Sequence, residues 1–340
     1  PPLYFWSLWA WVQLVGEGEF AARVLSALYG VATVAVVYRL GCFLADRPTG
    51  LLAALLTAVA RFHIWWSQEL RMYVLAGLLG VLSLYCFLRW LRLNRSGCDV
   101  PASVRYAMLA LYVLASLGAL YTIFLMAAVI LVENIIVFSA LLWPRGYRAR
   151  LLLSGWVVAQ CAILAGLVAW LMFSWGRMST WSVSEPMGLP LFVRLYATLL
   201  TTGISTHIER YTWGVLPPFA ILGLGGALVL GQWLRRRRED ADSPCEALTL
   251  VLVTTVSAAA IYLSTLPRSL FYTPRVEARY FLPFAPAFWL LLAWSIVLIG
   301  RRWKVAGWAA GAMIVGLWCV YLPGHYTGRY LRDELQSMVR

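Results

Sequence analysis

Lysine is nearly absent from this chain. Lys304 is the only one, so the formal net charge of +13 over 340 residues is carried by arginine. Charge of either sign is scarce, at 13% of residues, where a water-soluble domain carries roughly a quarter. That shortage excludes an ordinary soluble fold. The six cysteines fall in apolar runs or in loops assigned to the inside, and no CxxC or His-rich spacing occurs. Neither a disulfide framework nor a structural zinc site is implied. The short alternating segments of a transmembrane β-barrel are missing. So is any glycine-rich loop of the kind that cradles a nucleotide phosphate.

What is present is hydrophobicity, 62% of residues with a mean hydropathy of +0.75. The charges are bunched, and between them lie uncharged runs at 72–88, 151–176, 211–234, 247–267 and 280–300. A helix needs about 20 apolar residues to cross the hydrocarbon of a bilayer. The expectation is an all-α integral membrane protein with ten spans, near 20–40, 49–66, 72–91, 104–121, 122–142, 151–173, 212–232, 246–266, 281–300 and 303–322. The whole of 1–340 reads as one polytopic transmembrane domain.

Basic loops set the orientation. Arg89, Arg92, Arg95 and Arg105 flank one loop, and Arg145, Arg148 and Arg150 fill the next. Arg235 to Arg238 form a third, and Arg301, Arg302 and Lys304 a fourth. These alternate loops face the cytoplasm in a ten-span chain, which places both ends outside. A net positive charge held this way orients spans, and no nucleic-acid partner is expected.

Residues 1–16 are too short to span and crowd Tyr4, Phe5, Trp6, Trp9 and Trp11. Such rings favour the headgroup level, so an outer interfacial helix is expected. The chain opens Pro1-Pro2 without methionine or signal peptide and reads as a piece truncated at its N-terminus.

If charge served only to orient the chain, the outer loops would be poor in arginine. Instead Arg61, Arg71, Arg177, Arg194, Arg210, Arg268, Arg275 and Arg279 fall there, interleaved with Glu17, Glu19, Glu69, Glu185, Glu209 and Glu277. Mixed charge beside aromatic residues suggests a polar cavity open to the outside. Arginine binds phosphate through a planar fork. A carboxylate serves as general base or metal ligand. Pairing among themselves or with lipid headgroups explains the same residues without a site.

Three clusters carry the chemistry. In Ser67-Gln68-Glu69-Leu70-Arg71-Met72-Tyr73, a helix would put Glu69 and Tyr73 on one face at i, i+4. In Arg275-Val276-Glu277-Ala278-Arg279-Tyr280, the following Pro283 and Pro286 predict a kinked or broken helix start. The 174–211 loop is the longest outside, holding Trp175, Arg177, Trp181, Arg194, His207, Glu209 and Arg210, and its 190–200 stretch reads as an amphipathic helix. Glu133-Asn134, inside a span, is either a functional acid or a hydrogen-bonding knot between helices.

Pro1-Pro2-Leu3-Tyr4-Phe5-Trp6, Glu19-Phe20-Ala21-Ala22-Arg23, Gln68-Glu69-Leu70-Arg71-Met72-Tyr73 and Arg279-Tyr280-Phe281-Leu282-Pro283 with Pro286 occur in a familiar order and spacing. In these motifs the chain resembles the GT-C glycosyltransferases of the protein O-mannosyltransferase type (family 39). That group also includes the lipid A aminoarabinose transferases. The resemblance implies a GT-C-like helical bundle in the plasma (inner) membrane with an extracytoplasmic active site. It implies transfer of a sugar from a polyprenyl-phosphate carrier to an acceptor hydroxyl, with inversion. The acceptor, whether protein, lipid or glycan, is left open.

By the same resemblance the main catalytic acid lies upstream of Pro1, outside this chain. Glu69 matches a second acidic position, as auxiliary base, anchor or ligand of a divalent metal. Arg71, Tyr73, Arg275, Arg279 and Tyr280 are the candidates for carrier phosphate and sugar, and Tyr4 is a further substrate-binding candidate. Arg23 is expected to anchor the interfacial helix to the first span. The alternatives are a transporter or flippase of lipid-linked sugars, for which no internal repeat is seen, a polymerase or ligase of surface polysaccharide, and a purely structural membrane subunit.

Overall fold

A computed structural model describes residues 2–94, 100–142, 149–174, 187–204, 208–236, 244–264, 266 and 277–323. Arg95, Arg145, Arg148, Arg177, Glu185, His207, Arg237, Arg238, Arg268 and Arg275 lie outside the described residues, as do the side chains of Glu209, Arg210, Arg235 and Arg236.

The described residues form helices and turns, with no strand among them. Helix α1 spans Pro2–Val15 and α2 spans Glu19–Leu44. The next span is broken: α3, Arg47–Val59, and α4, Arg61–Ser67, meet at 60°. Then come α5, Tyr73–Leu93; α6, Ala102–Thr122; α7, Ala127–Leu142; and α8, Ala149–Ser174. After the short α9, Leu189–Thr202, follow α10, Leu216–Arg236; α11, Pro244–Ser264; α12, Ala285–Arg302; and α13, Lys304–Tyr321. Among the described residues, nine helices are long and apolar enough to cross a membrane, or ten with the bent α3–α4 pair counted as one. The chain is a multi-pass membrane protein.

The expected spans correspond to these helices, and the departures have local causes. The long 104–142 stretch divides at Ile123, whose extended backbone (φ −155°, ψ 130°) ends α6 before a 3-10 turn at Phe124–Met126 opens α7. The α3–α4 bend falls at Ala60, again extended (φ −64°, ψ 112°). Neither glycine nor proline marks that site. The bend turns Arg61, Phe62 and His63 into the protein, each nearly buried. A polar α4 continuing straight into lipid would leave those groups exposed to hydrocarbon.

Helices α5 and α12 form the centre, wrapped by α2, α3, α6 and α11, and α12 buries Phe288, Trp289, Leu292 and Ala293 completely or nearly so. Helices α8 and α13 sit outermost and turn Val158, Met172, Val305 and Trp308 outward. Apolar side chains exposed in this way are what lipid-facing helices require.

A polar knot ties four spans at mid-depth. Glu133 on α7 is completely buried and accepts hydrogen bonds from Ser83 Oγ on α5 (3.1 Å) and Tyr112 OH on α6 (2.9 Å). Gln160 Nε2 on α8 donates to Tyr112 OH (3.2 Å), and Trp156 Nε1 donates to Asn134 Oδ1 (2.9 Å). Of the two readings open for Glu133, the geometry is that of the helix-packing knot.

At one end of the bundle, Asp46 caps α3 by accepting from the Thr49 N–H (2.8 Å) and pairs with Arg301 at the close of α12. Arg92 lies over the Phe43 ring at the same end, its guanidinium carbon 3.9 Å from the centroid. The other end gathers α1, the 68–72 turn, α9 and the start of α12, and there the candidate residues lie.

Candidate functional site

Two chain segments build the site. The first is the turn between α4 and α5. Helix α4 closes tightly, with Gln68 N–H donating to Trp65 O (3.3 Å) and Glu69 N–H to Trp66 O (3.2 Å). Residues 68–72 therefore leave the helix, and α5 starts at Tyr73. The expected i, i+4 helical pairing of Glu69 with Tyr73 is not formed. Glu69 is half-buried, Arg71 exposed and Tyr73 buried.

The second segment is Glu277–Phe284, where Ala278–Phe284 winds as a 3-10 turn with Pro283 inside it, and Pro286 enters the first turn of α12. Proline lacks the N–H that an α-helix interior needs but suits a first turn. This is the irregular start the two prolines predict. Below it, Phe281 packs against Phe192 (5.5 Å between ring centres) and Tyr196 (5.1 Å) of α9. Trp289 Nε1 donates to Leu200 O (3.0 Å). Helix α9, which covers the predicted amphipathic stretch, thereby braces the second segment while Leu191, Val193 and Arg194 face outward. It ends on Gly203, in the left-handed region at φ +71°, where a Cβ would come within 2.7 Å of the Phe62 amide nitrogen.

The two segments meet through Tyr73. The Arg279 guanidinium carbon lies 5.6 Å from the Tyr73 ring centre and 6.0 Å from that of Tyr280. The two rings are 6.1 Å apart. Arg279 also pairs with Glu277, and its buried Nε–H has no hydrogen-bond acceptor among the described residues. A buried, unfilled donor calls for an acceptor, and a guanidinium between ring faces keeps its edge free to supply one.

Tyr4 stands beneath the first segment. It is completely buried, and its OH shares a hydrogen bond with Ser26 Oγ (2.9 Å). Burial raises its pKa above the ordinary phenol value, which the Ser26 bond only partly offsets, and the charges of Arg71 and Glu69 act on it with opposite sign. In this arrangement Tyr4 docks α1 onto α2 and presents no surface to a ligand. Trp11 Nε1 secures the same docking by donating to Ala21 O (2.8 Å), while Phe5, Trp6 and Trp9 remain exposed.

Glu69, Arg71, Tyr73, Arg279 and Tyr280 therefore share one end of the bundle, and Arg275 lies outside the described residues. Among the described residues, no three His, Cys, Asp or Glu side chains gather as a metal-holding group around Glu69 or elsewhere. An apolar crevice lies beneath the second segment, lined by Val37, Leu84, Val253, Pro283, Pro286 and Leu290. It has room for about 10 Å³, one water's worth. A wider hollow of about 490 Å³ opens between α7 and α8 at Asn134, Phe138, Leu153 and Trp156. It lies on other helices than those that carry the candidate residues.

Sequence reading missed the part played by Glu277, buried Arg61 and His63. Arg61 donates to Tyr321 O (3.3 Å), and a His63 ring nitrogen lies 3.2 Å from Gly30 O. A charged residue and an imidazole inside an otherwise apolar run were the available signal, since such groups require partners.

Two solved structures resemble this fold. ArnT from Cupriavidus metallidurans in the apo state matches with a TM-score of 0.55 and 19% identity, over 90% of this chain and 51% of that one. ArnT from the same organism bound to undecaprenyl phosphate matches with a TM-score of 0.54 and 18% identity, over 92% of this chain and 53% of that one. The chain thus spans about half the length of either, and likeness at this identity speaks for the fold. No curated protein matches the chain. A family model described as dolichyl-phosphate-mannose-protein mannosyltransferase matches residues 1–175, which include α1, the first site segment and the polar knot. With that match across half its length and a GT-C bundle around it, the chain belongs to the dolichyl-phosphate-mannose-protein mannosyltransferase family.

Proposed function

We propose that this chain forms part of a membrane glycosyltransferase that takes a sugar from a polyprenyl-phosphate carrier and passes it to an acceptor hydroxyl. Transfer takes place at the end of the bundle that holds Glu69 and Arg279. The observation that carries this reading is the convergence of the 68–73 turn with Glu277–Tyr280 through the Arg279–Tyr73 contact. The family match supports it, as does a similarly folded protein solved with undecaprenyl phosphate bound. The active end faces away from the cytoplasm across the inner membrane, with α1 lying in the outer interface and residues 1–340 acting as one domain.

In this reading the transition state is oxocarbenium-like, and charge builds on the departing carrier phosphate. Arg279, whose Nε–H has no acceptor among the described residues, meets that phosphate, and exposed Arg71 adds positive charge at the rim. Tyr73 and Tyr280 hold the guanidinium plane and offer ring faces to a sugar. Glu69 accepts a proton from the acceptor hydroxyl or anchors the sugar by hydrogen bonds. The phosphate leaves with the bonding electron pair, so its charge grows where the arginines stand.

The test is sugar transfer by the full-length protein in liposomes, with a polyprenyl-phosphate sugar as donor. Glu69→Gln and Arg279→Ala are each expected to depress it strongly. Transfer left intact by both substitutions sinks the assignment. Movement of the intact donor across the bilayer without transfer would instead identify a flippase.

A further inference from the structure

Glu69 sits on a turn rather than a helix, so something other than helical hydrogen bonding must set its place. Arg23, in the second turn of α2, reaches that turn from outside. Its Nη1 donates to Gln68 O at 3.2 Å, one residue before Glu69, and its Nη2 donates to Glu19 Oε1 at 2.5 Å. Helix α4 lies hard against α2 at this level. The Ser67 hydroxyl crowds Gly30, and a His63 ring nitrogen lies 3.2 Å from Gly30 O. The C-terminal end of α4 is thus pinned to α2 at Gly30, and the turn that follows is pinned to it at Arg23.

We propose that Arg23 is a positioning residue for Glu69. It holds the Gln68 carbonyl and so fixes the direction in which the next side chain leaves the backbone, while Glu19 holds the guanidinium in line. The expected anchoring of α1 to the first span is not the role its contacts describe: they run to the Glu69 turn, and α1 is docked by Tyr4 and Trp11 instead. Arginine suits the task because one planar group donates to two acceptors at once. The proposal rests on the functional reading of Glu69 given above.

Two readouts separate the clamp from that reading. The first is amide hydrogen exchange across 66–73 in the full-length protein, which needs no activity. Arg23→Ala should speed exchange there about tenfold while leaving α5 below Gly77 unchanged, and Arg23→Lys should recover part of the protection. Unchanged exchange in Arg23→Ala overturns the clamp, whatever Glu69 does.

The second readout is a cycle with Glu69→Gln. Arg23→Ala should lower kcat on the order of tenfold, the low end for an outer residue that orients a site group, with little change in donor KM. In a Glu69→Gln background it should cost nothing further, because the side chain it positions is already disabled. An equal loss in both backgrounds, or no loss beside an active Glu69, overturns the positioning role. If Glu69→Gln itself leaves transfer intact, the site assignment fails, and exchange alone then decides whether Arg23 holds the turn.

Discussion

The Arg279 guanidinium stands 5.6 Å from the centre of the Tyr73 ring, and this contact joins the start of α5 to the start of α12. Glu277 balances its charge, and Tyr280 shields another side. An arginine at a protein edge would ordinarily be solvated and weakly placed. Here ring faces and a carboxylate hold it, and its Nε–H has no acceptor among the described residues.

That placement predicts a graded series at the site. Arg279→Ala should reduce kcat/KM by on the order of a hundredfold, the usual scale for removing one charge-stabilising donor. Arg279→Lys should recover only part, since an ammonium has no planar fork. Tyr73→Phe keeps the ring and should be nearly neutral, whereas Tyr73→Ala should approach the Arg279→Lys value. Steady-state kinetics on the four variants checks the order.

The mid-bundle knot predicts tolerance where a catalytic acid would show none. Glu133→Gln keeps the volume and one of the two acceptor oxygens, and the hydroxyl facing its amide can turn to accept, so sugar transfer should stay within about threefold. Ser83→Ala removes two interhelical hydrogen bonds, to Glu133 and to Ser116, and should cost about 1 kcal/mol at roughly 0.6 kcal/mol for each such bond in a membrane. Denaturant or thermal unfolding in detergent measures the second, and a transfer assay the first. Loss of transfer in a well-folded Glu133→Gln would assign that acid to the chemistry.

The turn joining α12 and α13 depends on close backbone approach. A Cβ on Gly307 would overlap the Gly300 backbone, coming within 2.7 Å of its nitrogen. Gly307→Ala should therefore destabilise the protein by about 1–3 kcal/mol, the range for an overpacked contact. Gly316→Ala, with nothing within 4 Å, should be neutral or slightly stabilising. Melting temperatures of the two variants make the comparison.

At the opposite end from the site, the Asp46–Arg301 pair should leave an acid-side signature. Partial burial works to raise the Asp46 pKa, but hydrogen bonds from Thr49 and the nearby Arg301 guanidinium bring it below the ordinary aspartate value. A depressed folded value means stability fully present above the ordinary aspartate range and lost as pH falls through the lowered one. Asparagine caps a helix as well as aspartate, so Asp46→Asn removes the charge and keeps the cap. The variant should melt below wild type at neutral pH, by an amount equivalent to no more than about 1 kcal/mol given the exposed arginine. The two curves should converge in acid. A constant gap across pH would show that the charge contributes nothing.

Membrane character and the positions of the spans were legible in the chain. Each rests on a quantity local to a segment, the length and hydropathy of an apolar run. The proline-marked start of α12 was legible for the same reason, because Pro283 and Pro286 constrain their own backbone. The four motifs also marked which segments to watch.

Other features depended on neighbours and could not be read locally. Ala60 carries no signal of its own, yet the chain bends there by 60°, because Arg61 and His63 have partners in α13 and α2. The helical pairing expected of Glu69 and Tyr73 gave way to a turn, since α4 closes on the Trp65 and Trp66 carbonyls and α5 begins only at Tyr73. Tyr4, marked by its motif, proved to be a sealed docking contact with Ser26. The sequence by itself determined that the chain lies in a membrane and which family it resembles, because transfer free energy and motif spacing are properties of segments. Which side chains meet, Arg279 with Tyr73 and Arg23 with the turn before Glu69, was decided only by tertiary packing, because those contacts join helices whose relative angles no single segment encodes.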